Sequence, residues 1–250
     1  MFEFLTLPER TTKPRESGLT HVLDKGLSLD QVRQFLDVAG DLVDIVKLGW
    51  GTAVVTPRLR DKVALYLGRG IPVCFGGTFF ELCVRQGKLE EYLALVDACG
   101  MTHVEISDGT IEMAEQDKLA ILRRLTSRYR VLSEVGSKDD AKVITPTRWV
   151  DSIRRELEAG AWKVITEGRE SGTAGIYRPD GDIKDGLLEE IRTAFDISQI
   201  IFEAPVKKQQ VWFVRQFGAN VNLGNILPEE VVSVETLRLG VRGDTLLTFH

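Results

Sequence analysis

Trp149-Val-Asp-Ser-Ile-Arg-Arg-Glu-Leu-Glu-Ala159, then Gly160-Ala-Trp162, then Lys163-Val-Ile-Thr-Glu167 and Gly168-Arg169-Glu170-Ser171-Gly172: this stretch decides the fold. Its first part reads as an amphipathic helix, with Val150, Ile153 and Leu157 recurring at three- and four-residue spacing. Thr145-Pro146 opens that helix with Pro at its first position, and Gly160 closes it. Lys163–Glu167 is a short β-branched run that ends in charge and glycine.

The same unit recurs in both directions along the chain. Strands are expected at Leu19–Asp24, Leu42–Leu48, Ile71–Phe75, His103–Ser107, Val131–Val135, Lys163–Glu167, Ile200–Glu203 and Asn220–Leu223. The helices between them carry start and stop signals. Ser28 stands three residues before Gln31, a capping-box spacing. Gly40, Gly70, Gly100, Gly160, Gly218 and Gly240 each follow a helical stretch, where a left-handed cap is wanted. Strand–helix alternation with short links means a parallel sheet. Eight such units in 250 residues predict one α/β domain over residues 1–250, a single (β/α)8 TIM barrel with an irregular N-terminal arm at Met1–Ser17.

Composition narrows the functional classes. The chain is 43% hydrophobic and 28% charged, ordinary for a folded protein and unlike a disordered one. No run approaches the length of a membrane span, and the N-terminus lacks the apolar core of a secretory signal. A net charge of -5 offers no footprint for nucleic acid or an anionic membrane surface. Cys74, Cys83 and Cys99 have no metal-ligand spacing, and their odd number suits a reducing cytoplasm, the expected location.

In such a barrel the reactive groups sit at the C-terminal ends of the strands. Here charge and glycine gather there: Asp24-Lys25-Gly26, Lys47 with Gly49-Trp50-Gly51, Gly76-Gly77-Thr78, Glu105 with Asp108, Glu134 with Ser137-Lys138, Glu167 with Arg169, Glu203, and Asn222 with Asn225. Period two puts Leu132 with Glu134, Ile165 with Glu167, and Ile201 with Glu203 on one face. If those faces point inward, several carboxylates converge at the mouth. A divalent cation with oxygen preference, Mg2+ above all, resolves that crowding, and so do Lys25, Lys47, Lys138 and Arg169. Gly76-Gly77-Thr78 and Ser171-Gly172 can cradle an anion with backbone N–H groups. Lys163 opens its strand and belongs at the opposite end. His21, His103 and the three thiols read as core residues, with His21 satisfied inside its strand, and Trp50 and Trp212 as packing.

The strings Leu23-Asp24-Lys25-Gly26, Val46-Lys47-Leu48-Gly49-Trp50-Gly51-Thr52, Phe75-Gly76-Gly77-Thr78, Val104-Glu105-Ile106-Ser107-Asp108-Gly109, Glu134-Val135-Gly136, Glu167-Gly168-Arg169-Glu170-Ser171-Gly172, Ile201-Phe202-Glu203-Ala204-Pro205 and Val221-Asn222-Leu223 resemble those of the phosphosulfolactate synthase family over nearly the whole chain. The resemblance implies a barrel enzyme, a homo-oligomer, that adds sulfite to phosphoenolpyruvate with Mg2+. It assigns the carbon acid to Lys138. It suggests Lys25 and Lys47 for the substrate carboxylate and sulfite. Gly77, Thr78, Arg169, Ser171 and Gly172 would take the phosphate, with Gly76 and Asn222 beside them. Metal ligands would come from Glu105, Glu134, Glu167 and Glu203, with Asp24 and Asp108 behind them. Two departures stand out: Ser137 replaces an expected basic neighbour of the acid, and the loop 173–181 carries Tyr177 and Arg178 rather than a short basic run. Two other readings stay open: a non-catalytic relative like the plant heat-stress-associated proteins, and another barrel lyase or isomerase acting on a phosphorylated acid.

Overall fold

Seven of the eight runs expected from the sequence contain a strand, because a sheet buries both faces of so short a segment. The computed structural model describes residues 2–136 and 144–250. In chain order it places β1 (Thr20–Asp24), α1 (Leu29–Ala39), β2 (Ile45–Leu48), α2 (Thr52–Val55), α3 (Leu59–Leu67), β3 (Val73–Phe75), α4 (Gly77–Arg85), α5 (Leu89–Ala98) and β4 (His103–Ile106). There follow α6 (Glu115–Leu125), β5 (Arg130–Val135), α7 (Pro146–Glu158), β6 (Lys163–Thr166), α8 (Asp185–Ala194), β7 (Ile200–Glu203), α9 (Lys207–Phe217), β8 (Leu223–Ile226), α10 (Val231–Arg238) and α11 (Leu246–Phe249).

All ladders are parallel, and the strands run in the order β3-β2-β1-β8-β7-β6-β5-β4. Pairing of the first strand with the last wraps the sheet into a barrel. The seam lies between β3 and β4, which sit side by side without a shared ladder among the described residues. The helix starts are local. Ser28 and Gln31 exchange hydrogen bonds in a capping box, and Thr145 caps α7 with Pro146 at its first turn. No helix among the described residues is long and apolar enough to cross a membrane.

Strand pleating sorts the side chains into two cores. Val46, Val104, Val131, Val164 and Phe202 face outward and pack under the helices. Ile45, Cys74, Leu132, Ile165 and Ile201 point inward and form an apolar layer inside the barrel. Two residues further along β2, β5, β6 and β7, the same inward face carries Lys47, Glu134, Glu167 and Glu203. The barrel is therefore oily at its waist and charged at its C-terminal mouth. The N-terminal arm covers the other end: Arg10 pairs with Glu235 at 2.9 Å, and Lys163 Nζ donates to the Glu16 carbonyl at 2.8 Å.

The structure corrects three expectations. Strand eight is Leu223–Ile226 rather than Asn220–Leu223, because Gly and Asn in Leu-Gly-Asn-Ile mask a strand that tertiary pairing imposes. The run Leu42–Leu48 is shortened, since Gly40–Leu42 form a 3-10 turn. Gly40 is right-handed, φ -56°, because the chain continues into that turn instead of stopping. Gly70, Gly100, Gly160, Gly218 and Gly240 do take positive φ.

Candidate active site

The inward face of β2 brings Lys47 to the floor of the mouth. Its ammonium lies 3.0 Å from Glu203 Oε1 on β7 and 3.3 Å from Glu105 Oε2 on β4. Burial alone would lower its pKa, but Glu105, Glu203 and Glu134 outweigh burial and hold it well above the ordinary lysine value. Glu105 moves the other way. Burial raises its carboxyl, Lys47 opposes that, and Glu134 and Glu203 add to it, so it stays above the usual carboxylate range.

Each carboxylate is held from a neighbouring element. Gly77 N–H, at the start of α4, donates to Glu105 Oε1 at 2.7 Å. Gly168 N–H donates to Glu203 Oε2 at 2.9 Å, and Arg169 N–H to Glu167 Oε1 at 2.6 Å. The Ser107 hydroxyl lies between Glu134 Oε1 at 2.9 Å and Glu81 Oε1 at 2.5 Å. Lys118 braces the same region, donating to the Glu134 carbonyl at 2.6 Å and pairing with Asp108 and Glu156 at 2.8 Å each. Gly77 allows the close approach of α4: a Cβ there would stand 2.5 Å from the Ser107 Cβ.

Among the described residues two buried groups have metal-ligating atoms within 4.8 Å of one another. One is Glu134, Glu167 and Glu203, an all-oxygen set that suits a hard cation such as Mg2+. The other is His21, Cys74 and Glu105. Burial, with Lys47 nearby, pushes the His21 imidazole well below its usual pKa, and burial with Glu105 pushes the Cys74 thiol well above its own. Cys74 is thus kept as a thiol, so the all-oxygen carboxylate triad is the better centre for a hard cation.

Lys47, Glu105, Glu134, Glu167 and Glu203 line a cavity of about 460 Å³ that opens to solvent. The structure brings Lys47, Gly76, Gly77, Thr78, Glu105, Glu134, Glu167, Arg169, Ser171 and Glu203 into its wall. Lys25 stands at the outer rim, paired with Glu170 at 2.7 Å. Gly172 lies behind the wall, where its carbonyl accepts from Gln209 Nε2 at 2.9 Å. Asn222 is a correction: it precedes β8 at the closed end, accepts from Leu19 N–H at 3.0 Å and donates to the carbonyls of Ser198 and Ile200. Asp24 is buried under Lys62 and Tyr66 and fixes the turn out of β1 through the amides of Gly26 and Leu27. Ser137 and Lys138 lie outside the described residues.

Sequence reasoning assigned no site role to four residues, though it noted Asn225 at a strand end. Trp50, read as packing, is 41% exposed and lines the cavity. Asn225 lines it too, as a member of β8. Ser107 holds Glu134, and its hydroxyl also meets Glu81. Glu81 did leave a signal, since it lies one turn after Gly77 on the same face of α4. His21 is in the core, as expected, but neither ring nitrogen has a hydrogen-bond partner.

The family described as (2R)-phospho-3-sulfolactate synthase (ComA) matches residues 8–244. The chain belongs to this phosphosulfolactate synthase family. It is 45% identical over 236 residues to the phosphosulfolactate synthase of Methanocaldococcus jannaschii, covering 92% of this chain and 94% of that one. It is 42% identical over 244 residues to the Bacillus subtilis phosphosulfolactate synthase, covering 96% and 97%. Among solved structures, a 3-hexulose-6-phosphate synthase superposes with a TM-score of 0.56 at 14% identity, over 88% of this chain and 98% of the other. That likeness establishes the barrel and nothing finer.

Proposed function

We propose that this member of the family joins sulfite to phosphoenolpyruvate at the methylene carbon, giving (2R)-phospho-3-sulfolactate, with Mg2+ held at the mouth. The observation that carries the reading is the buried triad Glu134, Glu167 and Glu203 gathered beside Lys47 in one solvent-open cavity. Five acidic side chains there (Glu105 and Glu170 are the other two) face two cationic ones, Lys47 and Arg169, among the described lining residues. That charge balance leaves room for a dication.

The chemistry explains these residue types. The methylene carbon of phosphoenolpyruvate is electron-rich, so sulfite adds only when the substrate carboxylate draws the electrons away. Glu134, Glu167 and Glu203 would hold a Mg2+ ion, which when bound would supply that polarisation and stabilise charge developing on the carboxylate. Lys47, kept charged by its acidic neighbours, offsets the negative charge that two anionic substrates bring. Arg169 and Ser171, on the loop after β6, face the cavity as donors for substrate oxygens. The C–S bond forms as sulfur adds to the methylene carbon. The adjacent carbon then takes up one proton, which the family resemblance assigns to Lys138.

Incubation of the folded protein with phosphoenolpyruvate, sulfite and Mg2+ should yield phosphosulfolactate by phosphorus NMR and mass spectrometry, and chelation should abolish it. No product would reject the reading in favour of a non-catalytic relative. Trapping by borohydride would point to Schiff-base chemistry. Lys163, the strand-six lysine, is bonded to the Glu16 carbonyl at the closed end and is out of position for it.

A further inference from the structure

Among the described residues, four non-glycine residues have φ in the left-handed region: Trp50 (49°), Arg58 (54°), Arg169 (46°) and Asn225 (55°). Trp50, Arg169 and Asn225 all line the mouth cavity. An L-residue in this region carries local strain, and such strain collects where a side chain must be aimed.

Asn225 has the strongest signature. It is the third residue of β8, and the ladder to β1 slips there: Thr20 pairs with Leu223 but Val22 with Ile226, so β8 advances three residues while β1 advances two. Such a bulge re-aims a side chain and is common beside active sites. Asn225 is 6% exposed, and its Oδ1 is enclosed with no hydrogen-bond partner. Whichever way the amide is turned, a polar end is buried and bare, against the general rule for buried groups.

The geometry points to Asn225 as a substrate-contacting residue whose Nδ2 donates a hydrogen bond to the phosphoryl group of the ligand; the assignment rests on the reaction proposed above. Strands β6, β7 and β8 are neighbours. Arg169 and Ser171 after β6, and Asn225 on β8, therefore flank Glu203 on β7. Lys47 and Gly168 N–H each hold one oxygen of Glu203. Lys47 is in turn committed to Glu105 and Glu203 at the floor. A phosphate ester needs donors from several directions. A guanidinium and a neutral carboxamide meet that need together, the second without adding charge beside the acidic cluster.

The simpler account is that asparagine is present because it tolerates a left-handed backbone. Two substitutions separate the accounts, with Tm and calorimetric titration as readouts. Inorganic phosphate, phosphoenolpyruvate and sulfite are titrated separately in the presence of Mg2+. Asn225→Gly relaxes the backbone but removes the amide. It should keep or raise Tm while weakening phosphate and phosphoenolpyruvate binding about tenfold to a hundredfold. Asn225→Asp keeps the shape and the backbone tolerance but adds negative charge, and should weaken them at least as much. Sulfite affinity should stay within about twofold for the glycine variant. Wild-type affinity for phosphate in Asn225→Gly would overturn the assignment. So would a loss confined to sulfite. A wild-type protein that binds neither phosphate nor phosphoenolpyruvate overturns this inference and the proposed reaction together. One that binds both, responds to the substitutions as expected and makes no sulfonate overturns the reaction alone.

Discussion

Lys47→Met tests whether the charge balance of the mouth is what the structure implies. The ammonium is buried, 3.0 Å from Glu203 and 3.3 Å from Glu105, and both carboxylates are themselves buried. Methionine fills the volume but leaves those carboxylates without their counter-charge. Removing one partner of a buried pair costs about 3–5 kcal/mol. For a chain of this size each kcal/mol moves Tm by roughly 2–4 °C, so a fall of about 6–20 °C is expected. The pH dependence carries the diagnosis. The Lys47 pKa is raised on folding, so its stabilisation is fully present below the unfolded value, about 10.5, and is lost only as pH climbs through the higher folded value. In the variant the carboxylates can be relieved only by taking up protons or a cation. The gap between variant and wild type, measured by urea unfolding, should therefore narrow from pH 8 to pH 5. Added Mg2+ should raise the variant's Tm more than the wild type's. A loss under about 1 kcal/mol, or a gap unchanged across that pH range, would refute the reasoning.

Asn222→Ala should cost about 1–3 kcal/mol of stability, since three backbone partners lose their bonds. The folded fraction should keep its affinity for phosphoenolpyruvate; weaker binding at unchanged stability would return Asn222 to the substrate site. His103 is held neutral, its pKa lowered to about 4 by burial and by Arg130. The unfolded chain takes up this proton near pH 6.5 and the folded one only near 4, so stability should fall as pH drops through that window. His103→Gln should flatten the fall by about 1–3 kcal/mol in urea titrations, and an unchanged slope would show that another group carries it.

The inward charges were legible because a strand has period two. Once Ile165 and Ile201 are recognised as core, Glu167 and Glu203 must share their face, and the end of the strand sets their depth. Sequence motifs likewise pointed to the capping box at Ser28 and to the cap at Thr145, both of which close within four residues. What failed was whatever depends on register between distant strands. Asn222 and Asn225 are both polar residues near a strand expected at the same place. Only pairing with β1, and the slip in that pairing, sends the first to the closed end and the second into the cavity.

The same division separates the site's parts. The order of strands and helices, the carboxylates at strand ends and the glycines at α4 follow from local pattern, because hydrophobic period and turn chemistry act over a few residues. The three-carboxylate cluster, the Ser107 hydroxyl set between Glu81 and Glu134, and the enclosed Oδ1 of Asn225 belong to the closed barrel. They join residues far apart in the chain, and only when β1 meets β8 do their distances become fixed.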